Sequence, residues 1–391
     1  MDSSNSLFQS SFAELSLQRI PRAKQQSNPL RAWDAADELL LKHLAEQQLP
    51  SNGQKLLIIN DSFGALSCSL ADYRADYCIS HWSDSLISQL ACKENLDGNH
   101  LEDRIDWVDS ISSPSGLFDL VLIKVPKSLA LLEHQLITLQ PHVTEKTLVI
   151  AGGMVKYLQK SYQQLFEQYL GNTTTSLAVK KARLIFAGTE KTTQVAQSPY
   201  PQQNHYQEID LHISQHANVF SRDKLDIGTR FMLQQYQQLP SANSIVDLGC
   251  GNGILGIMAK RLQPEARVYF IDESYMAVAS AQDNYFNALN LDSQQEQDRQ
   301  QFMVSHCLEQ TPLTAIDLIL CNPPFHQSNT VGDQIAWQMF QQSFKALNKQ
   351  GRLWVIGNRH LDYHNKLKRL FANCKTVASN KKFVILEAVK R

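Results

Sequence analysis

The chain has 391 residues, 43% of them apolar and 19% charged, with a formal net charge of −1. That length is too great for one ordinary core and implies two or three domains, while the composition excludes a disordered polymer. Near-neutral charge excludes coating of nucleic acid by bulk charge, so any RNA contact has to come from a local basic face.

The seven cysteines form no C-x-x-C pair and have no closely set histidine partners, so no metal site is expected. A reduced, cytoplasmic protein is the simplest reading. The start, MDSSNSLFQSSFAEL, lacks the basic-then-apolar order of a signal peptide. No apolar run reaches the length that spans a bilayer, so no membrane association is expected.

In chain order, the extreme N-terminus is expected to be loose. RAWDAADELLLKHLAEQQL from Arg31 then has helical spacing and is expected to cap a first domain. An apolar run, Leu56 to Asn60, leads into Asp61-Ser62-Phe63-Gly64-Ala65-Leu66; FDLVLIKVPKS, LVIAGGMVKYL and KKARLIF follow from Phe118, Leu148 and Lys180. The polar stretch 188–206 holds two prolines and reads as a linker. The predicted boundaries are a first domain over 1–190, a linker over 191–210 and a second domain over 211–391.

HANVFSRDKLDIGTRF from His216 opens the second domain. Phe220 and Asp226-Ile227-Gly228-Thr229 in it either close over a cofactor or cap an ordinary helix. Strands are predicted at 244–248, 267–271, 302–305, 316–321, 351–357 and 382–388. A helix should follow residue 253, with Ile254, Leu255, Ile257 and Met258 facing a sheet. The second half thus carries DLGCGNG from Asp247, IDLILCNPPFH from Ile316, LWVIGNRHLDY from Leu353 and KKFVILE from Lys381. These match the four first-half segments in the same order, at offsets of about 187 to 205 residues. An ordered set of four implies an internal duplication. Strands alternating with helical stretches make each copy an α/β domain, two tandem Rossmann-like units in all.

Gly249, Gly251 and Gly253 permit a tight strand-to-helix turn and close approach of backbone to a ligand. With Asp247 two residues ahead, the motif resembles the first signature of class I methyltransferases, in which an acid and backbone groups hold the methionine end of S-adenosylmethionine. Asp272, ending the next apolar run, is suited to grip two ribose hydroxyls, with a plain turn residue as the alternative. The adenine contact falls in the loop Val304-Ser305-His306-Cys307. His306 is the candidate there, an imidazole where a carboxylate or amide is usual, against the reading of an ordinary loop histidine.

Asn322-Pro323-Pro324-Phe325 follows an apolar strand whose end lies at the edge of the cofactor loops. An amine conjugated to a π system is a poor nucleophile. Transfer becomes easier when two acceptors, the Asn322 side-chain oxygen and the Pro323 carbonyl, hold its hydrogens and turn the lone pair outward. The prolines fix the turn, and Phe325 can stack on a planar substrate. These residues restrict the acceptor to adenine N6, guanine N2 or a glutamine amide. His326 is an exposed polar residue or a contact to the base or its phosphate.

In the first half, Ser62 is aligned with Gly249 and Leu66 with Gly253, while Lys124-Val125-Pro126-Lys127 replaces the NPPF tetrapeptide. A lysine cannot accept hydrogen bonds from an amine, so this copy is expected to be catalytically degenerate. Lys124 and Lys127, with Lys180, Lys181 and Arg183, offer a basic face for an RNA backbone or an ordinary solvated surface.

With both halves in view, the whole chain resembles the RsmC/RlmG-type ribosomal RNA guanine-N2 methyltransferases, in which a degenerate methyltransferase domain precedes an active one bearing NPPF. The segments NPLRAWDAADELLL, NDSFGALSCSL, IKVPKSLALLEHQL and HANVFSRDKLDIGTRF are most similar to the branch acting on 23S rRNA. The resemblance implies that Asp247, Gly249, Gly251, Asp272, His306 and Asn322 bind S-adenosylmethionine. It implies that Asn322, Pro323 and Phe325 hold a flipped guanine, and that Lys124 and Lys127 meet RNA. A monomer is expected, the duplicated domain standing in for a dimer. The competing readings are a 16S rRNA guanine-N2 methyltransferase, a glutamine-N5 protein methyltransferase, an adenine-N6 enzyme and a non-catalytic RNA-binding scaffold.

Overall fold

Short runs such as KLLII, LVLIK, SIVDL and IDLILC carry apolar side chains on both strand faces. A strand of that kind is stable only inside a sheet covered on both sides. The computed structural model describes residues 6–20, 30–47, 53–191, 195–222, 224–290, 300–311, 313–324 and 330–391. It divides into two units, 1–200 and 201–391.

The first unit opens with a hairpin, β1 (Leu7–Gln9) and β2 (Glu14–Ser16), then α1 (Ala35–Glu46). The βα alternation runs β3 (Lys55–Ile59), α2 (Ala65–Tyr73), β4 (Cys78–Ser83), α3 (Leu86–Gly98) and β5 (Ile105–Asp109). It continues through β6 (Leu120–Lys124), α4 (Leu129–Leu139), β7 (Leu148–Met154), α5 (Lys160–Tyr169), β8 (Thr173–Thr175) and β9 (Ala182–Ala187). The sheet order is β5-β4-β3-β6-β7-β9-β8.

The second unit begins with a hairpin, β10 (Gln202–Tyr206) and β11 (Leu211–Gln215), followed by α6 (Ile227–Leu233). Then come β12 (Ser244–Leu248), α7 (Ile254–Leu262), β13 (Arg267–Asp272), α8 (Tyr275–Leu289) and β14 (Gln300–Val304). The rest is β15 (Ile316–Cys321), α9 (Thr330–Ala346), β16 (Leu347–Asn358), α10 (Tyr363–Phe371), β17 (Lys375–Ser379) and β18 (Phe383–Val389). Its sheet order is β14-β13-β12-β15-β16-β18-β17, the same as in the first unit. The duplication read from four sequence segments is therefore a duplication of topology.

Pairing registers correct two of those equivalences. Ile59 faces Trp82, and Leu248 faces Ile271, which sets the loop offset at 189 residues. Asn60, Ser62 and Gly64 thus stand at Gly249, Gly251 and Gly253, two residues away from the equivalence that sequence similarity suggests. Leu148 takes the place of Arg352, one residue from the alignment with Leu353. A one-residue slip would have turned every side chain of β7 to the wrong face. Residues 202–206, placed in the linker by composition, form a strand of the β10–β11 hairpin.

In the second unit, alternation sends Ile245, Phe270, Leu318, Leu320, Trp354 and Ile356 to the face that packs against α7. Val246, Ile271, Ile319, Cys321, Leu353 and Val355 go to the other, against α9 and α10. Ile254, Leu255 and Ile257 of α7 are buried as the periodicity predicts, and Met258 is partly buried. The order reverses between β12 and β15, and the crevice above a switch point of this kind is where α/β sheets bind ligands. Among the described residues no helix is long and apolar enough to cross a membrane.

Candidate active site

Two loops meet at the carboxyl ends of β12 and β15. After β12 the chain turns through Gly249, Gly251 and Gly253 at φ +74°, +54° and +80°. This left-handed backbone costs a side-chain-bearing residue about 1–2 kcal/mol. The turn is fastened to the neighbouring strand: Gly249 and Cys250 N–H donate to the Ile271 carbonyl at 2.8 and 3.0 Å, and Gly251 N–H donates to Asp272 Oδ2 at 3.0 Å.

The three glycines do different work. A Cβ on Gly253 would lie 2.9 Å from Ala281 Cβ, so this glycine lets α7 approach α8. A Cβ on Gly251 would meet nothing within 4 Å, so its missing side chain leaves open space. One on Gly249 would come within 3.3 Å of Met339 and 3.8 Å of the Asn322 carbonyl, filling the gap between the two loops. Gly249 and Gly251 therefore keep a cradle empty, as a cofactor pressed against backbone requires.

Asp247 is 1% exposed; its Oδ2 accepts from Gly256 N–H at 2.8 Å, and its Oδ1 is buried without a partner. Burial pushes its carboxyl up to about 8, with the nearby Asp272 charge adding to the shift. Asp272 accepts from Gly251 N–H and, through Oδ1, from Ser274 N–H at 3.1 Å. A carboxylate accepts through both oxygens, which is the chemistry a pair of ribose hydroxyls requires. The residues present fit S-adenosylmethionine: an open glycine cradle, a buried orphan oxygen beneath it and a carboxylate at the next strand end.

His306 is buried, its backbone N–H donating to Gln310 Oε1 at 2.7 Å, and Ser305 N–H donates to the Asp272 carbonyl at 2.8 Å. Gln310 thus closes this loop from within, a role that sequence reading missed.

The acceptor side is built on β15. Asn322 Nδ2 donates to Thr229 Oγ1 at 3.2 Å and approaches Asp226 Oδ2 at 3.5 Å. A carboxylate only accepts, so the amide NH2 must face α6, and Oδ1 is turned away from it. That Oδ1 is buried with no partner. A buried carbonyl oxygen left unpaired costs about 1–3 kcal/mol, so this one is suited to a donor supplied from outside the chain. Asp226 also caps α6, accepting from Thr229 N–H at 2.8 Å. The Asp226–Thr229 segment, read as a lid or as a cap, is a cap that also holds Asn322. Pro323 is buried beside it, and Phe220 is 68% exposed on the segment leading to α6. Phe325 and His326 lie outside the described residues.

The first unit has the same scaffold with different contents. Asp34 caps α1 as Asp226 caps α6, Asp37 occupies the Thr229 position, and Lys124 that of Asn322. Lys124 Nζ lies 2.7 Å from both Asp34 Oδ1 and Asp37 Oδ1, with 12% of its side chain exposed. Burial alone would depress Lys124, but Asp37 and Asp34 outweigh it and raise the ammonium above its ordinary value. Burial pushes Asp37 up to about 6 against the pull of Lys124. Lys124, expected to meet RNA, is instead the centre of a buried ion pair, because its position faces the helix cap and not solvent. Lys127 is exposed, with Nζ 5.3 Å from the Tyr157 ring; Lys156 Nζ is 4.6 Å from the same ring.

Among the described residues no cluster of His, Cys, Asp or Glu could hold a metal. Residues 5–191 match the domain family described as RLMG N-terminal domain, and residues 210–387 match the methyltransferase small domain. "Ribosomal RNA large subunit methyltransferase G" of Aeromonas salmonicida is 48% identical over 386 residues, covering 98% of this chain and 99% of the relative. Its counterpart in Erwinia tasmaniensis is 48% identical over 381 residues, covering 96% and 97%. The solved 16S rRNA N2-guanine methyltransferase RsmC of T. thermophilus, in complex with AdoMet and guanosine, superposes with a TM-score of 0.74. At 19% identity over 97% of this chain and 95% of that one, it shares the fold. With relatives alike over their full lengths and a glycine cradle facing an asparagine acceptor, the chain belongs to the ribosomal RNA large subunit methyltransferase G family.

Proposed function

We propose that the second unit methylates the exocyclic N2 amine of a guanine in 23S rRNA, using S-adenosylmethionine. The observation that carries this reading is Asn322: its NH2 is held by Thr229 and Asp226, and its Oδ1 is a buried acceptor with nothing to accept.

When bound, the cofactor supplies a methyl group on a sulfonium. Asp247, the Gly249–Gly251 backbone and Asp272 hold it, and the loop containing His306 borders its adenine. Asn322 Oδ1 and the Pro323 carbonyl accept the two amine hydrogens of a flipped guanine, directing the nitrogen lone pair at the methyl for an in-line displacement. The same dipoles stabilise positive charge developing on nitrogen. The surplus amine proton leaves to solvent after the N–C bond forms, so no strong base is required. Phe325 stacks on the ring.

The first unit, lacking an acceptor at Lys124, serves RNA recognition through Lys127, Lys156 and Lys181, with Lys180, which pairs with Glu38 at 2.8 Å, beside them; all are exposed near the carboxyl ends of β6 and β7. The described cysteines are all free thiols, which suits a reducing cytoplasm. The working state is a monomer that uses no metal.

The test is transfer of labelled methyl to separated 16S and 23S rRNA from cells lacking the protein, with nucleoside analysis. N2-methylguanosine in 23S alone is expected. Label only in 16S would overturn the choice of RNA, and label in neither would redirect the search to glutamine side chains.

A further inference from the structure

The NPPF loop explains how an amine is held but leaves guanine and adenine equally acceptable. A second buried amide lies nearby. Asn358 is the last residue of β16, the strand beside β15. Cys321 faces Val355, and alternation puts Asn322 on the side of Leu320 and Asn358 on the side of Trp354 and Ile356. Leu320, Trp354 and Ile356 belong to one core face, so the two amides share a face on adjacent strands, two residues out of register. Such diagonal neighbours stand ~7–8 Å apart, within reach of one ring. Gly228 confirms what covers this face: a Cβ there would meet Ile356 at 3.5 Å, so α6 holds Asn322 directly over the same strand.

Asn358 is 7% exposed and its Oδ1 is buried with no partner. Burying a carbonyl oxygen without a donor is destabilising, and the structure offers no internal compensation for it. The duplicated unit serves as a control. Asn358 pairs with Phe383 as Met154 pairs with Ala182, so Met154 occupies this position in the first unit. Where Asn322 is replaced by a lysine, the second amide is replaced by a thioether, a weak acceptor. Both acceptors are present in one copy and both are lost in the other.

We infer that Asn358 is a substrate-binding residue that reads the ring edge beside the methylated amine, its Oδ1 accepting the N1–H of guanine. This rests on the guanine-N2 reading above and explains its selectivity. On guanine, the donor next to the N2 amine is N1–H. On adenine, the atom next to the N6 amine is a bare N1 lone pair, which would face the carbonyl oxygen and be repelled.

The experiment uses 23S rRNA from cells lacking the protein, religated around a synthetic segment with guanine or 2-aminopurine at the nucleotide that the wild-type protein labels. 2-Aminopurine keeps the C2 amine and lacks N1–H. Wild-type kcat/KM should favour guanine by about 10²-fold or more, as sites built around a substrate hydrogen bond do. Asn358→Leu should bring that ratio close to one with cofactor affinity unchanged. Asn358→Asp, assayed at a pH where the carboxyl is ionised and only accepts, should keep the ratio at or above the wild-type value. A Leu variant with the wild-type preference, or an Asp variant that loses it, overturns the role of Asn358. If wild-type protein labels no guanine in 23S rRNA, the parent reading fails with it; label with an unchanged ratio sinks Asn358 alone.

Discussion

The loops after β3 and β12 share one backbone path and differ in what fills it. Asn60 holds φ +62° where Gly249 holds +74°, and Asn60 N–H donates to the Trp82 carbonyl as Gly249 N–H donates to Ile271. Asn is among the few side-chain residues that tolerate this region. Its amide exchanges hydrogen bonds with Gln135 at 2.8 and 2.9 Å and donates to the Lys124 carbonyl at 3.1 Å. That carbonyl corresponds to the one on Asn322 which a Gly249 side chain would approach. Asp61, buried at the Cys250 position, accepts from Gly64, Leu66 and Ser67 N–H groups, saturating the start of α2 with the protein's own carboxylate. Ser83 stands where Asp272 would grip a ribose. By contrast, Gly64 and Gly253 both open a helix at φ +86° and +80°, and Asp119 and Asp317 both accept a backbone N–H from the adjacent strand. Features retained in both copies hold the fold; those present in only one line the crevice.

The largest test of this division is Asn322→Ala, which should cut methyl transfer about 10²–10³-fold, a loss far exceeding any change in cofactor affinity in a direct binding measurement. Unimpaired turnover would remove the acceptor role. Gly249→Asn transplants the first unit's stopper into the second. Because Asn60 shows that this backbone accepts asparagine, the variant should fold with a nearly unchanged melting temperature yet bind cofactor about 10²-fold more weakly, ~3 kcal/mol. Normal cofactor affinity would mean that the cradle is not where the cofactor sits. Thr229→Val releases the NH2 end of Asn322 and should lower kcat about tenfold through misorientation, with cofactor binding intact. An equal loss of cofactor affinity would make Thr229 a ligand in its own right.

Lys124→Ala should act on stability alone. Removing the cation strands Asp37, and the cost is about 2–4 kcal/mol, short of a fully buried pair because Asp34 is half exposed. Methyl transfer by the folded variant should match wild type; its loss would place the first copy in the chemistry. A last effect, read through pH, concerns Asp247. Its folded carboxyl titrates near 8 against ~3.9 in an unfolded chain. Between those values the native state keeps a proton that the unfolded state releases, so its contribution is most favourable below ~pH 4 and declines as pH rises to about 8. In calorimetry without cofactor, the second unit should lose stability from pH 5 to 8 more steeply in wild type than in Asp247→Asn. Parallel slopes would show that Asp247 ionises normally.

Sequence by itself determined the fold class, the duplication and the DLGCGNG turn, because each is written locally. Glycine spacing dictates a turn, apolar runs dictate covered strands, and an asparagine before two prolines marks the strand end at which an acceptor is proposed. The predicted second-unit strands fall within a few residues of β12 to β16 and β18, whereas β17, with a weak half-exposed KTVAS pattern, went unseen. What only tertiary structure decided was which side chains meet across long stretches of chain. Lys124 looked like an exposed cation until α1, 90 residues earlier, placed Asp34 beside it. Thr229 and Asp226 reach Asn322 across 93 and 96 residues, and Asn358 joins its face only through the β15–β16 register. Gly249 and Asn60 could be equated only once strand pairing fixed the offset, because a loop without periodicity carries no register of its own.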